Sequence, residues 1–232
     1  MEFAAWEPIY ESIVADFGYD PAGDRRARDR LHELVEPFDF DRLDFQTQSV
    51  SVAGGSDTLE AELDQVRATD RVIAVSGAAA VLEDAGIEPD LVVTDLDKTP
   101  ERAVELSRQG VPVAAHAHGD NRQAVEEYLP QFDAQFVFGT TQVEPTDRVY
   151  NVGGFTDGDR AAFLADHLGA GRLAFPGWRF DDPAVSPEKA RKLVWAARLL
   201  QCLETLRGQR FAVLDGYRES GTVPETERWP CD

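Results

Sequence analysis

The sequence predicts an α/β fold, in which crossover helices connect the strands of a mostly parallel sheet, with a helical appendage at the N-terminus. From about residue 70 onward, short β-branched runs alternate with amphipathic stretches, as in a parallel sheet with crossover helices. The first fifty residues lack this alternation and contain two helical patterns, broken at Asp20-Pro21 and at Pro37. We therefore divide the chain into a helical appendage, residues 1–50, and an α/β domain, residues 51–232, which ends in a long helix and a polar tail.

Each predicted element follows from its local residues. The strands are the β-branched or aromatic runs at 71–76, 91–94, 111–115, 135–138, 149–152 and 172–175. Helical patterns, which glycine or proline closely follows, cover 5–17, 24–35, 78–85, 100–109, 121–129 and 157–168. A longer helix is predicted at 186–207, because Ser186 and Pro187 form a typical helix start.

The composition of the chain argues against nucleic acid and membranes as partners. Its 232 residues include 43 Asp and Glu against 23 Lys and Arg, a formal net charge of −20. This charge disfavours nucleic acid as a partner. No apolar run approaches the roughly 20 residues that a membrane span needs, and the first residues are acidic, unlike the basic start of a signal peptide. We therefore expect a soluble, cytoplasmic protein that acts on small molecules.

The basic residues are also unevenly chosen. The chain contains only three lysines, Lys98, Lys189 and Lys192, and all the other residues among its 23 Lys and Arg are arginines. An acidic, lysine-poor surface stays hydrated in concentrated salt, where charge repulsion is screened within about 3 Å at 1 M. We therefore predict a halophilic protein, with an ordinary acidic cytosolic protein as the alternative.

Two carboxylates leave the end of the predicted strand 91–94. Side chains two residues apart on an extended segment point the same way, so Asp95 and Asp97 can converge on one hard cation such as Mg²⁺. The alternative is a plain acidic turn that leads into a helix, with Thr99 as its N-cap.

Two histidines and two further polar residues follow the next predicted strand. His116, His118, Asp120 and Asn121 are suited to binding phosphate, donating to a developing charge or holding a metal. The alternative is a polar turn in which Asp120 or Asn121 caps the following helix.

A glycine pair follows the predicted strand 149–152. Gly153 and Gly154 would let backbone N–H groups approach a phosphate, with the N-terminus of a helix behind them. Paired glycines are also a common turn. Together with Gly77, which follows the strand 71–76, these strand ends describe a crevice for phosphate and Mg²⁺. The chain contains neither a Walker A pattern nor a protein-kinase motif set.

The motifs at these strand ends resemble a known family. Val75-Ser76-Gly77-Ala78 and the stretch 86–97, which contains Pro89-Asp90 and ends in Asp95-Leu96-Asp97, are similar to the thiamine pyrophosphokinase superfamily. With His116-Ala117-His118-Gly119-Asp120-Asn121 and the segment 153–160, the chain resembles more closely the archaeal 6-hydroxymethyl-7,8-dihydropterin pyrophosphokinases, from about residue 70 to 200.

This resemblance implies an enzyme that transfers the diphosphate of ATP to 6-hydroxymethyl-7,8-dihydropterin and releases AMP, on a route to folate or methanopterin-type cofactors. It implies Mg²⁺ held by Asp95, Asp97 and Asp120, with His116 or His118 acting on the hydroxyl group. The residues implied in nucleotide or phosphate binding are Gly77, Lys98, Asn121, Gly153 and Gly154.

The pterin pocket is less defined by the sequence. A flat bicyclic ring favours an aromatic face and a carboxylate for its aminopyrimidine edge, and the candidates are Phe155, Asp157, Trp178 and Asp181. The Ser76-Gly77-Ala78 turn lacks the acidic residue that relatives carry there, and Lys98 stands where the thiamine enzymes tend to have serine.

Other functions are compatible with the same residues. They are a thiamine pyrophosphokinase-like diphosphotransferase, a metal-dependent hydrolase that uses His116 and His118, and a non-catalytic nucleotide-binding protein. The hydrolase would need further metal-binding histidines, and only His32 and His167 remain. The apolar face of helix 186–207 fits either core packing or a homo-oligomer, so the oligomeric state is open too.

Overall fold

One sheet of seven parallel strands forms the centre of the protein in residues 1–219, the part of the chain that the computed structural model describes. The strands are β1 (Ser49–Ala53), β2 (Arg71–Val75), β3 (Leu91–Thr94), β4 (Val113–His116), β5 (Val137–Thr140), β6 (Val149–Tyr150) and β7 (Arg172–Ala174). Every neighbouring pair is parallel. The predicted α/β fold is therefore confirmed.

Helices cover both faces of this sheet. They are α1 (Phe3–Phe17), α2 (Pro21–Leu34), α3 (Leu63–Arg67), α4 (Ala78–Asp84), α5 (Pro100–Arg108), α6 (Arg122–Tyr128), α7 (Asp157–His167), α8 (Pro187–Arg207) and α9 (Asp215–Glu219). In β2, Ile73 and Val75 pack into one core while Val72 and Ala74 pack into the other, because successive side chains of a strand alternate. The first core contains α1, α7 and α8, and the second contains α2 to α6.

Because all the strands are parallel, their polar ends lie at one edge of the sheet, and the strand order sets which of them are neighbours. The order is β6-β5-β4-β3-β2-β1-β7, so the chain adds neighbouring strands from β1 to β6 and then returns through α7 to place β7 on the other side of β1. The connections α3 to α6 lie on one face and α7 lies on the other. Ligands of open parallel sheets bind beyond the carboxyl ends of the strands, close to such a change of direction.

The strand β1 is missing from the sequence prediction, although Ser49 to Val52 alternate polar and apolar residues. The run stands alone between the helical appendage and a polar stretch, so no neighbouring βα pattern marks it. The predicted boundary between residues 50 and 51 falls inside β1. The division into an appendage and an α/β domain stays a prediction.

The two N-terminal helices pack tightly against the sheet. Trp6, Ile9 and Ile13 of α1 are buried, and the Trp6 indole N–H donates to the carbonyl of Gln142 at 2.8 Å. The Asp20 side chain caps α2 by accepting from Ala22 N–H at 3.0 Å. These helices therefore lie next to the polar edge of the sheet.

The C-terminal part of the chain also differs from its prediction. Helix α9 lies where the sequence predicts a polar tail, and the rest of that tail, residues 220–232, lies outside the described residues. None of the helices within residues 1–219 combines the length and the apolar character that a membrane crossing requires.

Candidate active site

A cleft of about 820 Å³ opens at the carboxyl edge of the sheet. Ten of the predicted site residues line it: Gly77, Asp95, Asp97, Lys98, His116, His118, Asp120, Phe155, Asp157 and Trp178. The lining lacks four others, Asn121, Gly153, Gly154 and Asp181. The tertiary structure therefore brings most of the predicted residues to one site.

Asp95 and Asp97 leave β3 in a tight turn. Leu96 between them has φ +66° and a buried side chain, so the extended geometry that the sequence predicts for this segment is wrong. Asp97 N–H donates to Asp95 Oδ1 at 3.1 Å, and Ser76 Oγ donates to Asp97 Oδ1 at 3.4 Å. A turn closed by the Asp95 carboxylate brings the two acidic side chains together.

A third carboxylate joins them from the first turn of α7. Asp157 Oδ2 accepts from Asp95 N–H at 3.3 Å. Burial and the charge of Asp95 raise the pKa of Asp157 well above its usual range, against the opposing charge of Arg160. Burial and Asp95 also raise the pKa of Asp97. The carboxylates thus compete for ionisation, which a bound cation would relieve.

Asp95 is the carboxylate of this group whose ionised form is favoured. Burial opposes ionisation, but hydrogen bonds from His118 and Asp97 lower the pKa of Asp95 below its ordinary value. His118 Nε2 lies 3.6 Å from Asp95 Oδ2, while its Nδ1 accepts from Asp120 N–H at 3.4 Å. His118 therefore orients the Asp95 carboxylate, and Asp120 lies exposed at the rim of the cleft.

His116 is buried beside His118, with its ring centroid 5.8 Å away. Its Nδ1 lies 3.2 Å from Thr140 Oγ1. Burial, Arg160 and His118 lower the pKa of His116 well below its usual value, which keeps the ring neutral. Within residues 1–219 its Nε2 has no hydrogen-bond partner. His116 lines the cleft, although its Nε2 is itself buried.

Asn121 connects the ends of β3 and β4. Its Nδ2 donates to the carbonyls of Asp95 and His116, both at 2.7 Å, and its Oδ1 accepts from His118 N–H at 2.9 Å. Both amide hydrogens are therefore engaged by the main chain. Asn121 fixes the positions of the acidic turn and the histidine loop.

The glycine pair Gly153-Gly154 is required by packing. Both residues have positive φ, +96° and +99°, and a Cβ on Gly154 would overlap the Arg160 backbone. The pair lets the chain turn closely against α7, whose N-terminus is fixed by a capping box between Thr156 and Asp159.

The candidate pterin-pocket residues separate in the structure. Phe155 and Trp178 line the cleft, and the Trp178 indole N–H donates to the carbonyl of Val52 at 2.8 Å. Asp181 is exposed, and its carboxylate lies 3.6 Å from the guanidinium of Arg179. Phe155 and Trp178 are thus placed to contact a ligand, whereas Asp181 faces solvent.

Neither of the two remaining histidines lies at the cleft. His32 Nδ1 contacts Thr146 Oγ1 at 3.0 Å, and His167 ends α7. The additional histidines that a hydrolase of the His116-x-His118 type needs are therefore not near that pair.

Comparison with known proteins decides the family. The family model described as 6-hydroxymethylpterin diphosphokinase MptE-like matches residues 27–183. The chain belongs to this family. A 6-hydroxymethyl-7,8-dihydropterin pyrophosphokinase of Methanothermobacter thermautotrophicus is 37% identical over 225 residues, covering 88% of this chain and 96% of the relative.

Two further relatives carry the same name. The protein of Pyrococcus furiosus is 38% identical over 223 residues, covering 88% of this chain and 95% of the relative. The protein of Methanocaldococcus jannaschii is 30% identical over 234 residues, covering 88% and 96%. The resemblance found in the sequence motifs is confirmed.

Several lining residues of this MptE-like protein were missed by sequence reasoning. Gly54, Gly55 and Ser56 follow β1 and line the cleft. A glycine pair at the end of a strand could have indicated this, but it was overlooked because β1 itself was not predicted. Asp24 of α2 and Gln142 after β5 also line the cleft. Nothing in their local sequence indicates this, since they reach the site only through helix packing and strand order.

A cationic group lines the cleft as well. It consists of Arg26, Lys98, Arg179, Lys189 and Lys192. In a chain of net charge −20, these side chains place positive charges in the cleft that suit phosphate oxygens.

The acidic turn offers oxygen ligands of the kind that Mg²⁺ prefers. Within residues 1–219, no three Asp, Glu, His or Cys side chains stand in an arrangement that encloses a metal by themselves. Mg²⁺ commonly takes one or two carboxylates and completes its shell with waters and substrate phosphates. The Asp95 and Asp97 carboxylates, with Asp157 beside Asp95, therefore fit an ion that needs only one or two of them.

Proposed function

We propose that this protein is a cytoplasmic, Mg²⁺-dependent enzyme that transfers the β,γ-diphosphate of ATP to the hydroxymethyl group of 6-hydroxymethyl-7,8-dihydropterin and releases AMP. The observation that carries the proposal is the acidic turn of Asp95 and Asp97, with Asp157 and His118 beside it, in a cleft of about 820 Å³. Ligand pockets for small molecules span about 300–1,000 Å³. The names of the three relatives support the same reaction.

Asp95, Asp97 and Asp157 would hold Mg²⁺, and Asp120 remains a further candidate ligand at the rim. When bound, the ion neutralises negative charge on the phosphate oxygens during the displacement. Burial and the neighbouring carboxylate raise the pKa of Asp97 and of Asp157, against the opposing charges of Lys98 and Arg160. A bound cation would favour the ionised form of both carboxylates.

The nucleotide binds on the β1, β2 and α8 side of the cleft. Gly55 and Gly77 carry no side chain there, and a Cβ on either would meet no atom closer than 3.9 Å. Lys98, Lys189 and Lys192 line that part of the site. Their ammonium groups hold the phosphate chain and direct the β-phosphorus toward the acidic turn. The charge of these lysines, rather than a phosphate-binding loop of the Walker A type, holds the triphosphate in place.

His118 holds Asp95 through its Nε2, and Asn121 holds the backbone of both residues. The substrate hydroxyl would lie between His116 and the acidic turn, where its oxygen is positioned for in-line attack. The remaining groups of the site act by orientation and by excluding water.

The test is an assay of purified protein in high KCl with MgATP, offered the pterin or thiamine in separate reactions, with AMP and the diphosphate product resolved by HPLC. We expect AMP only with the pterin, and its loss on adding excess EDTA. AMP formed with thiamine alone would assign the enzyme to the thiamine class. No AMP from folded protein with either acceptor would refute the proposed reaction.

A zinc measurement on the same sample separates the hydrolase alternative. A magnesium-dependent diphosphotransferase retains no stoichiometric zinc after purification, whereas a hydrolase built on His116 and His118 would retain it.

A further inference from the structure

Two buried polar side chains at one end of the cleft have no part in the proposed phosphate chemistry. Asp24 and Gln142 are each 5% exposed, and both line the cleft. Gln142 Nε2 donates to Asp24 Oδ2 at 2.7 Å, so the two side chains form one unit. Burying a carboxylate is unfavourable unless it is well bonded, which makes this pair a candidate for ligand recognition.

The bonds of this unit leave particular acceptors open. Asp24 Oδ2 also accepts from the Tyr10 hydroxyl at 2.5 Å, and Asp24 Oδ1 accepts from Gly119 N–H at 2.8 Å. A carboxylate has about four acceptor sites, so Oδ1 retains one. Gln142 Oε1 accepts no hydrogen bond within residues 1–219. Two adjacent oxygen acceptors are therefore available to a ligand.

The backbone allows a ligand to approach these acceptors closely. Gly23 and Gly119 pack against each other, and a Cβ on Gly119 would lie 3.5 Å from Asp24 Oδ1 and 3.4 Å from the Gly23 backbone. No side chain from either residue covers the carboxylate. His116, at the end of the adjacent strand β4, also lines the cleft, and its Nε2 is a buried polar atom without a partner in the described chain.

The strand order sets the distance from this unit to the acidic turn. Gln142 follows β5, His116 ends β4 and Asp95 follows β3, and these three strands are neighbours. Adjacent strands lie about 4.8 Å apart, so the row spans about 10 Å. That span suits a bicyclic ring whose far edge reaches Gln142 while its hydroxymethyl arm reaches the acidic turn.

We propose that Asp24 and Gln142 bind the 2-amino-4-oxopyrimidine edge of the pterin and thereby determine the acceptor specificity of the enzyme. This inference rests on the proposed function. The pterin edge presents two adjacent donors, the ring N3–H and the 2-amino group, which match Asp24 Oδ1 and Gln142 Oε1. Adenine offers a donor beside an acceptor at its corresponding edge and does not match two oxygens. The pterin therefore occupies the β3 to β5 side and the nucleotide the opposite side.

The first experiment uses the unmodified protein. Binding is measured by calorimetry, and turnover by AMP formation, for the pterin and for its analogue in which an oxygen replaces the 2-amino group. We expect at least about a tenfold preference for the pterin, because the analogue keeps the ring N3–H donor but places an acceptor oxygen against one of the two acceptors. Equal binding and turnover of the two compounds would overturn the proposal without the need for a variant.

The second experiment uses Asp24→Asn, which preserves the shape of the side chain. We expect the preference for the pterin over the analogue to fall about tenfold, with KM for the pterin raised and KM for ATP unchanged. Tyr10→Phe is the matched control, because it removes a hydrogen bond from the same carboxylate but leaves the cleft acceptors in place, and it should keep the preference. Asp29→Asn, on the exposed side of α2, controls for charge.

The outcomes separate the two proposals. A protein that binds the pterin selectively without forming AMP refutes the reaction and supports the recognition unit. A protein that forms AMP with an unchanged preference in Asp24→Asn refutes the recognition unit alone. If Tyr10→Phe loses the preference as Asp24→Asn does, the effect is structural and the inference is overturned.

Discussion

Replacing Asn121 by alanine should destabilise the protein and misplace the acidic turn at the same time. The amide makes three hydrogen bonds to main-chain groups of Asp95, His116 and His118, at 2.7–2.9 Å. Each contributes about 1 kcal/mol net, so the free energy of unfolding should fall by about 3 kcal/mol. For a domain of this size that lowers Tm by roughly 6–12 °C.

The assay combines denaturant unfolding in high KCl with the AMP assay at a temperature where the variant is folded. The matched control is Asn151→Ala. In the unmodified protein, Asn151 Nδ2 donates to the carbonyl of Val143 at 2.8 Å, and Asn151 Oδ1 accepts from Gly153 N–H at 2.9 Å. The control should lose about 2 kcal/mol and keep its turnover, because it touches none of the carboxylates.

The opposite pattern would refute this reasoning. If Asn121→Ala keeps its stability but raises KM for ATP, the amide acts on the nucleotide, as the sequence alone suggests. Its hydrogen bonds to the main chain would then not account for its role in the protein. If stability falls by about 3 kcal/mol while turnover is unchanged in folded protein, the bonds hold the fold without positioning Asp95.

Three further predictions concern the metal site, the backbone and the surface. Asp97→Asn should lower turnover at least about 100-fold without a change in Tm. The control Asp64→Asn, at an exposed position, should leave turnover unchanged. Equal activity of the two variants would count against the metal role of Asp97. Gly154→Ala should lower the free energy of unfolding by roughly 3 kcal/mol or more, because the new Cβ would overlap Arg160. The control Gly86→Ala should lower it by only about 1 kcal/mol, because φ is +69° there but the space is open. Similar losses for both variants in denaturant unfolding would contradict the packing argument. Tm should rise with KCl if the acidic surface is adapted to salt, and a protein most stable in low salt would end that hypothesis.

Local patterns were sufficient for most of the fold. The buried runs at 71–75 and 91–94 read correctly as strands because both faces of a parallel sheet are covered and the residues are continuously apolar. Helix α8 was marked by Ser186, whose side chain accepts from Lys189 N–H at 3.2 Å. The run at 49–53 was missed, since its identity as a strand depends on pairing with β2 and β7, far away in sequence.

The sequence by itself determined the fold class, the family and the presence of an acidic, histidine-containing strand edge, because these depend on residue type, spacing and motif. Only the tertiary structure decided that Asp157 joins Asp95, that Asn121 is engaged by main-chain groups, and that Gly154 serves packing. It also decided that Asp24 reaches the cleft from an N-terminal helix. The physical reason is that such contacts join residues distant along the chain, and strand order and helix packing set them rather than any local pattern.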